Sequence, residues 1–519
     1  MTAILPRRAV LAAMLVPLLA GPAVSEPLDR TGTQWSPVLE WTLDNATVDG
    51  NPFDLAAYVT FKHQETGEAL RTGMFYAGEG RWKFRFTGTR VGAWAFQTAS
   101  DDPELNGRRG TVTVEPDPDP RARGFVTHDR NRWMWSGADE VFVPQVVMYR
   151  SPDGYHDQPD RVDEDLQTWF GQHGFNGLHT AVLCRWFDLD KTSSDQLGDD
   201  PNPDPRTFEA LELLITRAHA AGGFVHIWAW GDESRRMTPI RWGINGQVDR
   251  RLQRYIAARL GPLPGWTMGY GFDLWEWVGD EELREWHAHL HEQLGWPHLI
   301  GGRVHRHGTP LVDLITDKLD YIGYETHRPS YQAYVEALEL HPRKPVSMED
   351  RFRVRRDRRY TEKDYDLDMT RRGLWHSAMA GGVANIWGYL VPDAGPHGMS
   401  QPYPNRDQIR TCATFFQKRF PRDLARANHL SDGLCLSRPT QAHYLFYKED
   451  AETLRMDLSG MAGPQQAVAV DAKKPYHELD IGLLEATDQV WQAPYRSDWG
   501  LAVGDFSRSA AAPEGPEGR

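Results

Sequence analysis

The sequence predicts an α/β chain: a (β/α)8 TIM barrel flanked by an N-terminal β-sandwich and a small C-terminal β-domain. Three observations predict it. Residues 31–116 alternate apolar and polar side chains between turn residues; a Pro-Asp repeat follows; eight short apolar strands then alternate with amphipathic helices. The 519 residues are too many for one ordinary core. A single barrel would take about half of them.

In chain order, residues 1–25 read as a cleavable export signal. Arg7 and Arg8 precede an apolar run from Ala9 to Leu19, and Ala23-Val24-Ser25 offers a small-x-small cleavage site. Arg7-Arg8-Ala9-Val10-Leu11 also resembles a twin-arginine signal. The expected destination is the periplasm or the medium. In the sandwich, Trp82-Lys83-Phe84-Arg85-Phe86 sends aromatics to one face and cations to the other. Glu115-Pro116-Asp117-Pro118-Asp119-Pro120 ends this pattern, because proline cannot donate to a strand ladder.

Residues 121–421 carry the barrel pattern, with strands expected at 141–149, 177–183, 224–230, 266–272, 298–304, 321–324, 345–348 and 383–389. Between them the helices carry their own signals. Asp204 can cap a helix that begins at Pro205, buries Phe208, Leu211, Ile215 and Ala218, and stops at Gly222. Asp280 can cap another, whose Leu283, Trp286, Leu290 and Leu294 form a stripe before Gly295. Strand-like runs return in residues 422–506, and the Ala, Pro, Gly and Glu of 507–519 offer nothing to bury.

Composition narrows the function classes. Hydrophobic residues make up 40% and charged residues 25%, which is globular rather than disordered. A formal charge of −14 disfavours nucleic acid and anionic membrane as partners. Three cysteines allow at most one disulfide. Twenty tryptophans suit both core packing and stacking on sugar rings. Phosphate-binding glycine loops and a Gly-x-Ser-x-Gly elbow are absent from the sequence, so no cofactor is expected. His305-Arg306-His307 lacks an evident third ligand, and no metal is expected.

Barrel chemistry belongs at the C-terminal ends of the strands, and carboxylates gather there: Asp232 and Glu233, Asp273 and Glu276, Glu325, Glu349 and Asp350. Breaking a glycosidic bond needs a proton for the leaving oxygen and a carboxylate for the positive centre. Glu276 and Glu349 are the expected pair, acid/base and nucleophile of a retaining reaction with carboxyls about 5–5.5 Å apart. Trp186, Trp228, Trp230 and Trp387 are candidate sugar platforms or barrel packing. Arg150, Arg185, Arg328, Arg351 and Arg353 suggest an anionic sugar, or else balance the neighbouring carboxylates.

Asn51-Pro52-Phe53, Gly78-Glu79-Gly80-Arg81-Trp82-Lys83-Phe84-Arg85-Phe86 and Gly92-Ala93-Trp94 carry a resemblance, with Tyr444-Leu445-Phe446-Tyr447 and Met456-Asp457-Leu458-Ser459-Gly460 adding to it. The chain resembles bacterial glycoside-hydrolase-like proteins that join a DUF5060 β-sandwich to a clan A-like barrel and a C-terminal β-domain of the collagen-binding type. That resemblance implies an acid/base after strand four and a nucleophile after strand seven, which are Glu276 and Glu349. It also implies a positioning residue after strand six, where Tyr324 and His327 stand. One departure is visible: the family's acid/base follows asparagine, whereas Trp275 precedes Glu276. Asp273 is the alternative acid. Two other functions stay open: a polysaccharide lyase acting beside a uronate, and a carbohydrate-binding scaffold without activity.

Overall fold

A computed structural model describes residues 28–35, 38–119, 123–137, 140–305, 318–352, 365–388, 390, 400–417, 419–438, 443–504 and 506. The expected export signal and C-terminal tail lie outside these residues.

Two sheets form the N-terminal sandwich. One has the order Arg30–Thr33, Arg109–Glu115, Gly92–Ser100, Ala57–His63, Ala69–Gly73; the other runs Leu39–Asp44, Arg81–Phe86, Phe75–Tyr76. Period-two alternation puts Trp82, Phe84 and Phe86 inside with Trp41, Phe61, Trp94 and Phe96. Trp41 and Phe84 stack with ring centroids 5.0 Å apart. On the cationic face, Arg85 meets the barrel, whereas Arg81 stays half-exposed. Arg85 donates to Glu40 at 2.8 Å, to Glu212 at 3.0 Å and to the Arg259 carbonyl at 2.9 Å.

The barrel closes from eight parallel strands: β1 (Gln145–Met148), β2 (Gly177–Ala181), β3 (Phe224–Trp230), β4 (Trp266–Gly271), β5 (Ile300–His305), β6 (Tyr321–Tyr324), β7 (Val346–Phe352) and β8 (Ala384–Trp387). The first expected strand is corrected. Pro144 interrupts it, so Glu140–Phe142 pairs instead in a three-stranded sheet with Arg132–Trp135 and Val126–Asp129. That sheet closes the floor of the barrel, where the Trp133 indole donates to the Val346 carbonyl at 3.3 Å.

Around the strands run α1 (Pro205–Ala220), α2 (Gln247–Leu260), α3 (Asp280–Leu294), α4 (Tyr331–Leu340), α5 (Leu367–Ala380) and α6 (Arg406–Phe416). Asp204 caps α1 as expected, accepting from the Arg206 amide at 3.0 Å. The cap of α3 is corrected by one residue. Gly279 is the cap, and the Glu282 carboxylate reaches back to its amide at 2.7 Å. Leu283, Trp286, Leu290 and Leu294 are all buried. Among the described residues no helix is long and apolar enough to cross a membrane.

A six-stranded sheet follows, in the order Ala425–Arg426, Leu434–Arg438, His443–Asp457, Asp488–Val503, Gln465–Asp471, Leu479–Leu484. It docks on α5, where Trp375 stacks on Tyr447 at 4.7 Å and Arg371 donates to Asp498 at 3.0 Å. Cys184, Cys412 and Cys435 are buried free thiols.

Candidate active site

Glu349 follows the last β7 residue paired to β6 and is wholly buried. One carboxylate oxygen, Oε2, accepts from the Trp228 indole at 3.0 Å. The other, Oε1, is shielded from solvent and has no hydrogen bond. Nε2 of His226 stands 3.5 Å from it. Such a carboxylate is held in place through one oxygen and leaves the second oxygen's lone pairs uncommitted. Space for it comes from Gly323 on β6, where a Cβ would come within 2.7 Å of the Glu349 Cδ.

Beneath Glu349 runs a hydrogen-bonded chain of one tyrosine and two histidines. The Tyr321 hydroxyl is 2.8 Å from His226 Nε2, and His226 Nδ1 is 2.9 Å from His179 Nδ1. A nitrogen-to-nitrogen contact holds one proton, so one ring donates and the other accepts. Burial first, and then the Glu349 carboxylate, hold the Tyr321 phenol well above its usual range.

Across the barrel mouth, β4 stops at Gly271 and the chain turns sharply. Asp273 sits in the left-handed region at φ 56° without being glycine, which is sparsely populated backbone. Its carboxylate pairs with Arg303 of β5, which also donates to the Glu349 carbonyl at 3.3 Å. Arg303 therefore links the ends of β4 and β7. Trp228, Phe272 and Trp275 surround its guanidinium at 5.5 to 5.7 Å. Burial opposes the charge on Arg303, but Asp273, Glu325 and Asp350 outweigh it and raise its pKa.

The other expected site residues divide clearly. Glu276 lies in the 3-10 turn Leu274–Glu276 and is exposed, whereas Leu274 and Trp277 on either side of it in the chain are buried. Trp186, Trp228, Trp230 and Trp387 are all buried, so their expected role as open sugar platforms is corrected to barrel packing. Their indoles are spent internally: Trp186 donates to the Ala229 carbonyl at 2.9 Å and Trp387 to Gln145 at 2.7 Å. Tyr324 is buried with its hydroxyl against His341. His327 stands between Glu325 at 3.3 Å and Asp350 at 3.6 Å. These three could group around a cation, but the Arg303 charge faces the same carboxylates and opposes one.

Arg185 pairs with Asp153 at 2.8 Å and Arg150 with Asp165 at 3.3 Å, so both charges are balanced inside the protein. The Arg351 and His305 side chains, and Arg353, Arg306 and His307, lie outside the described residues. Sequence reasoning missed Arg303, His226 and His179. The available signal was alternation, since His226 shares the inward face of β3 with Trp228, and Arg303 interrupts an apolar strand.

The fold and this site define a class: a closed parallel (β/α)8 barrel with carboxylates beside β4 and in β7, preceded by a β-sandwich. Residues 31–101 match the family model described as Domain of unknown function (DUF5060). Among solved structures, the chain is similar to a "putative glycoside hydrolase" from Bacteroides vulgatus ATCC 8482, with 18% identity and a TM-score of 0.71, covering 92% of this chain and 99% of that one. A glycoside hydrolase family 5 protein from the same organism matches at 13% identity and a TM-score of 0.55, over 76% of this chain and 95% of that one. These identities establish a shared fold. No curated protein sequence matches the chain.

Proposed function

We propose that this chain is an exported, retaining glycoside hydrolase acting on a poly- or oligosaccharide, with Glu349 as nucleophile and Asp273 as acid/base. One observation carries the reading: Arg303 of β5 pairs with the Asp273 carboxylate beside β4 and donates to the backbone carbonyl of Glu349 in β7, so one guanidinium gathers both acidic residues at the same end of the barrel. Resemblance to glycoside-hydrolase barrels supports it, as does the resemblance of the first residues to an export signal. Glu276 is passed over because it is exposed, five residues beyond the end of its strand.

In the first step a carboxylate oxygen of Glu349 attacks the anomeric carbon while Asp273, which must leave Arg303 and take up a proton from solvent as the sugar binds, gives that proton to the leaving oxygen. In the second step Asp273 takes a proton from water, and that oxygen displaces Glu349. Sugar binding is expected to draw Asp273 from Arg303 onto the glycosidic oxygen. The paired states of Arg150 and Arg185 take two of the five arginines out of the case for an anionic sugar, so the panel includes neutral and anionic substrates alike.

A panel of neutral and anionic polysaccharides tests the proposal, with the first-formed product read by proton NMR. A product that keeps the anomeric configuration of the substrate supports it. Inversion would remove the nucleophile role from Glu349, and an unsaturated, ultraviolet-absorbing product would make the protein a lyase.

A further inference from the structure

Two histidines and an aspartate meet at the barrel end opposite the proposed site. His287 and His291 stand four residues apart on α3, and so lie one above the other on one helix face. Asp320 immediately precedes β6, at the N-terminal end of that strand. His291 Nε2 is 2.7 Å from Asp320 Oδ2, and His287 Nε2 is 3.2 Å from Oδ1. All three ligand atoms lie within 4.8 Å of one another.

The arrangement has the parts of a ligand set. The Ile300 amide donates to Asp320 Oδ2 at 2.8 Å and so fixes the carboxylate from behind, the kind of support that orients metal ligands. His287 Nε2 is shielded from solvent and makes no hydrogen bond, although it faces the carboxylate. The three side chains remain 13%, 34% and 21% exposed, which leaves room for an ion to enter with water.

We propose that His287, His291 and Asp320 form a binding site for a divalent transition metal of the zinc type, completed by solvent. Two imidazoles select against calcium and magnesium, which prefer all-oxygen sites. Zinc bonds of about 2.0–2.2 Å place tetrahedral ligands about 3.3 Å apart, so the side chains need only small shifts. An ion here would pin α3 to the start of β6 and, through Ile300, to β5. Its role is structural, since barrel chemistry lies at the other ends of the strands.

The test is titration of the chelator-stripped full chain with Zn²⁺, followed by calorimetry and by the unfolding temperature. One ion per chain is expected, with a higher unfolding temperature and no comparable response to Ca²⁺. His287→Ala, His291→Ala and Asp320→Asn should each weaken binding by at least about tenfold. A His305→Ala/His307→Ala double variant should bind as the parent does. Absence of stoichiometric binding overturns the proposal, as do unchanged affinity in all three variants or loss of binding in the double variant. Co²⁺ titration of the parent protein avoids any question of variant folding: intense tetrahedral visible bands support the site, and a spectrum like that of aqueous Co²⁺ overturns it.

Discussion

Glu349 occupies the space that any side chain at position 323 would need, with its Cδ 2.7 Å and the Gly302 carbonyl 2.9 Å from where a Cβ would stand. Gly323→Ala should therefore push the carboxylate off its Trp228 hydrogen bond and cost about 1–3 kcal/mol of stability. Hydrolysis should fall by at least about tenfold, because an ångström of misplacement is expensive in catalysis. Steady-state kinetics beside urea unfolding would separate the two effects; unchanged activity would mean that the fit around Glu349 is not needed. Residue by residue, the site was only partly legible. The position of Glu349 in the seventh strand was readable, and its place there is observed; its catalytic role is a proposal. Arg303 was not readable, because its partner Asp273 lies 30 residues away and only the parallel pairing of β4 with β5 brings them together. The left-handed turn at Asp273, a non-glycine residue, was also hidden, because sequence pattern does not reveal it.

At the scale of elements, local rules served well where they acted alone. Asp204 was read as a cap from the Asp-Pro pair that opens α1, and its side chain accepts from the Arg206 amide at 3.0 Å and the Leu189 amide at 2.8 Å. Asp204→Ala should cost about 1–2 kcal/mol, read as a lower urea midpoint. A change below a few tenths would show that Arg206 and the loop hold the helix start without it. Rules failed where two elements adjoin. An apolar run across residues 141–149 looks continuous, yet Pro144 divides it between the floor sheet and β1. The four tryptophans at strand ends were ambiguous for a related reason: alternation says which side of a strand they take, whereas burial depends on what the neighbouring loops cover.

At the scale of the whole molecule, the sandwich and barrel are joined through buried charge. Arg85 and Arg259 both contact Glu212, at 2.8 and 2.5 Å. No local pattern indicates such a pairing, because its members come from separate folding units. The barrel also buries histidines in neutral form. His298 stacks on Trp266 at 4.0 Å with Nε2 2.7 Å from the Gly261 carbonyl, and burial pushes its pKa down to about 4. An unfolded chain protonates that ring near pH 6.5, so its stabilising effect is complete above that value and is lost as pH falls toward 4. The full effect is about 3 kcal/mol. Asp249, raised to about 6 by burial, works in the opposite direction, so the difference between parent and variant is the useful quantity. His298→Asn should unfold with a flatter pH dependence than the parent between pH 6.5 and 4; parallel curves would show that His298 is protonated in the folded protein.

The account stands on Glu349 in β7 as nucleophile and Asp273 beside β4 as acid/base. Its most direct test is the hydrolysis rate of Glu349→Gln, Asp273→Asn and Glu276→Gln beside the parent, on whichever glycan the panel shows to be cleaved. Glu349→Gln and Asp273→Asn should each lose about 10²–10⁴-fold or more in kcat while remaining folded, and Glu276→Gln should stay within a few-fold of the parent. Full activity in Glu349→Gln, or a collapse confined to Glu276→Gln, would contradict it.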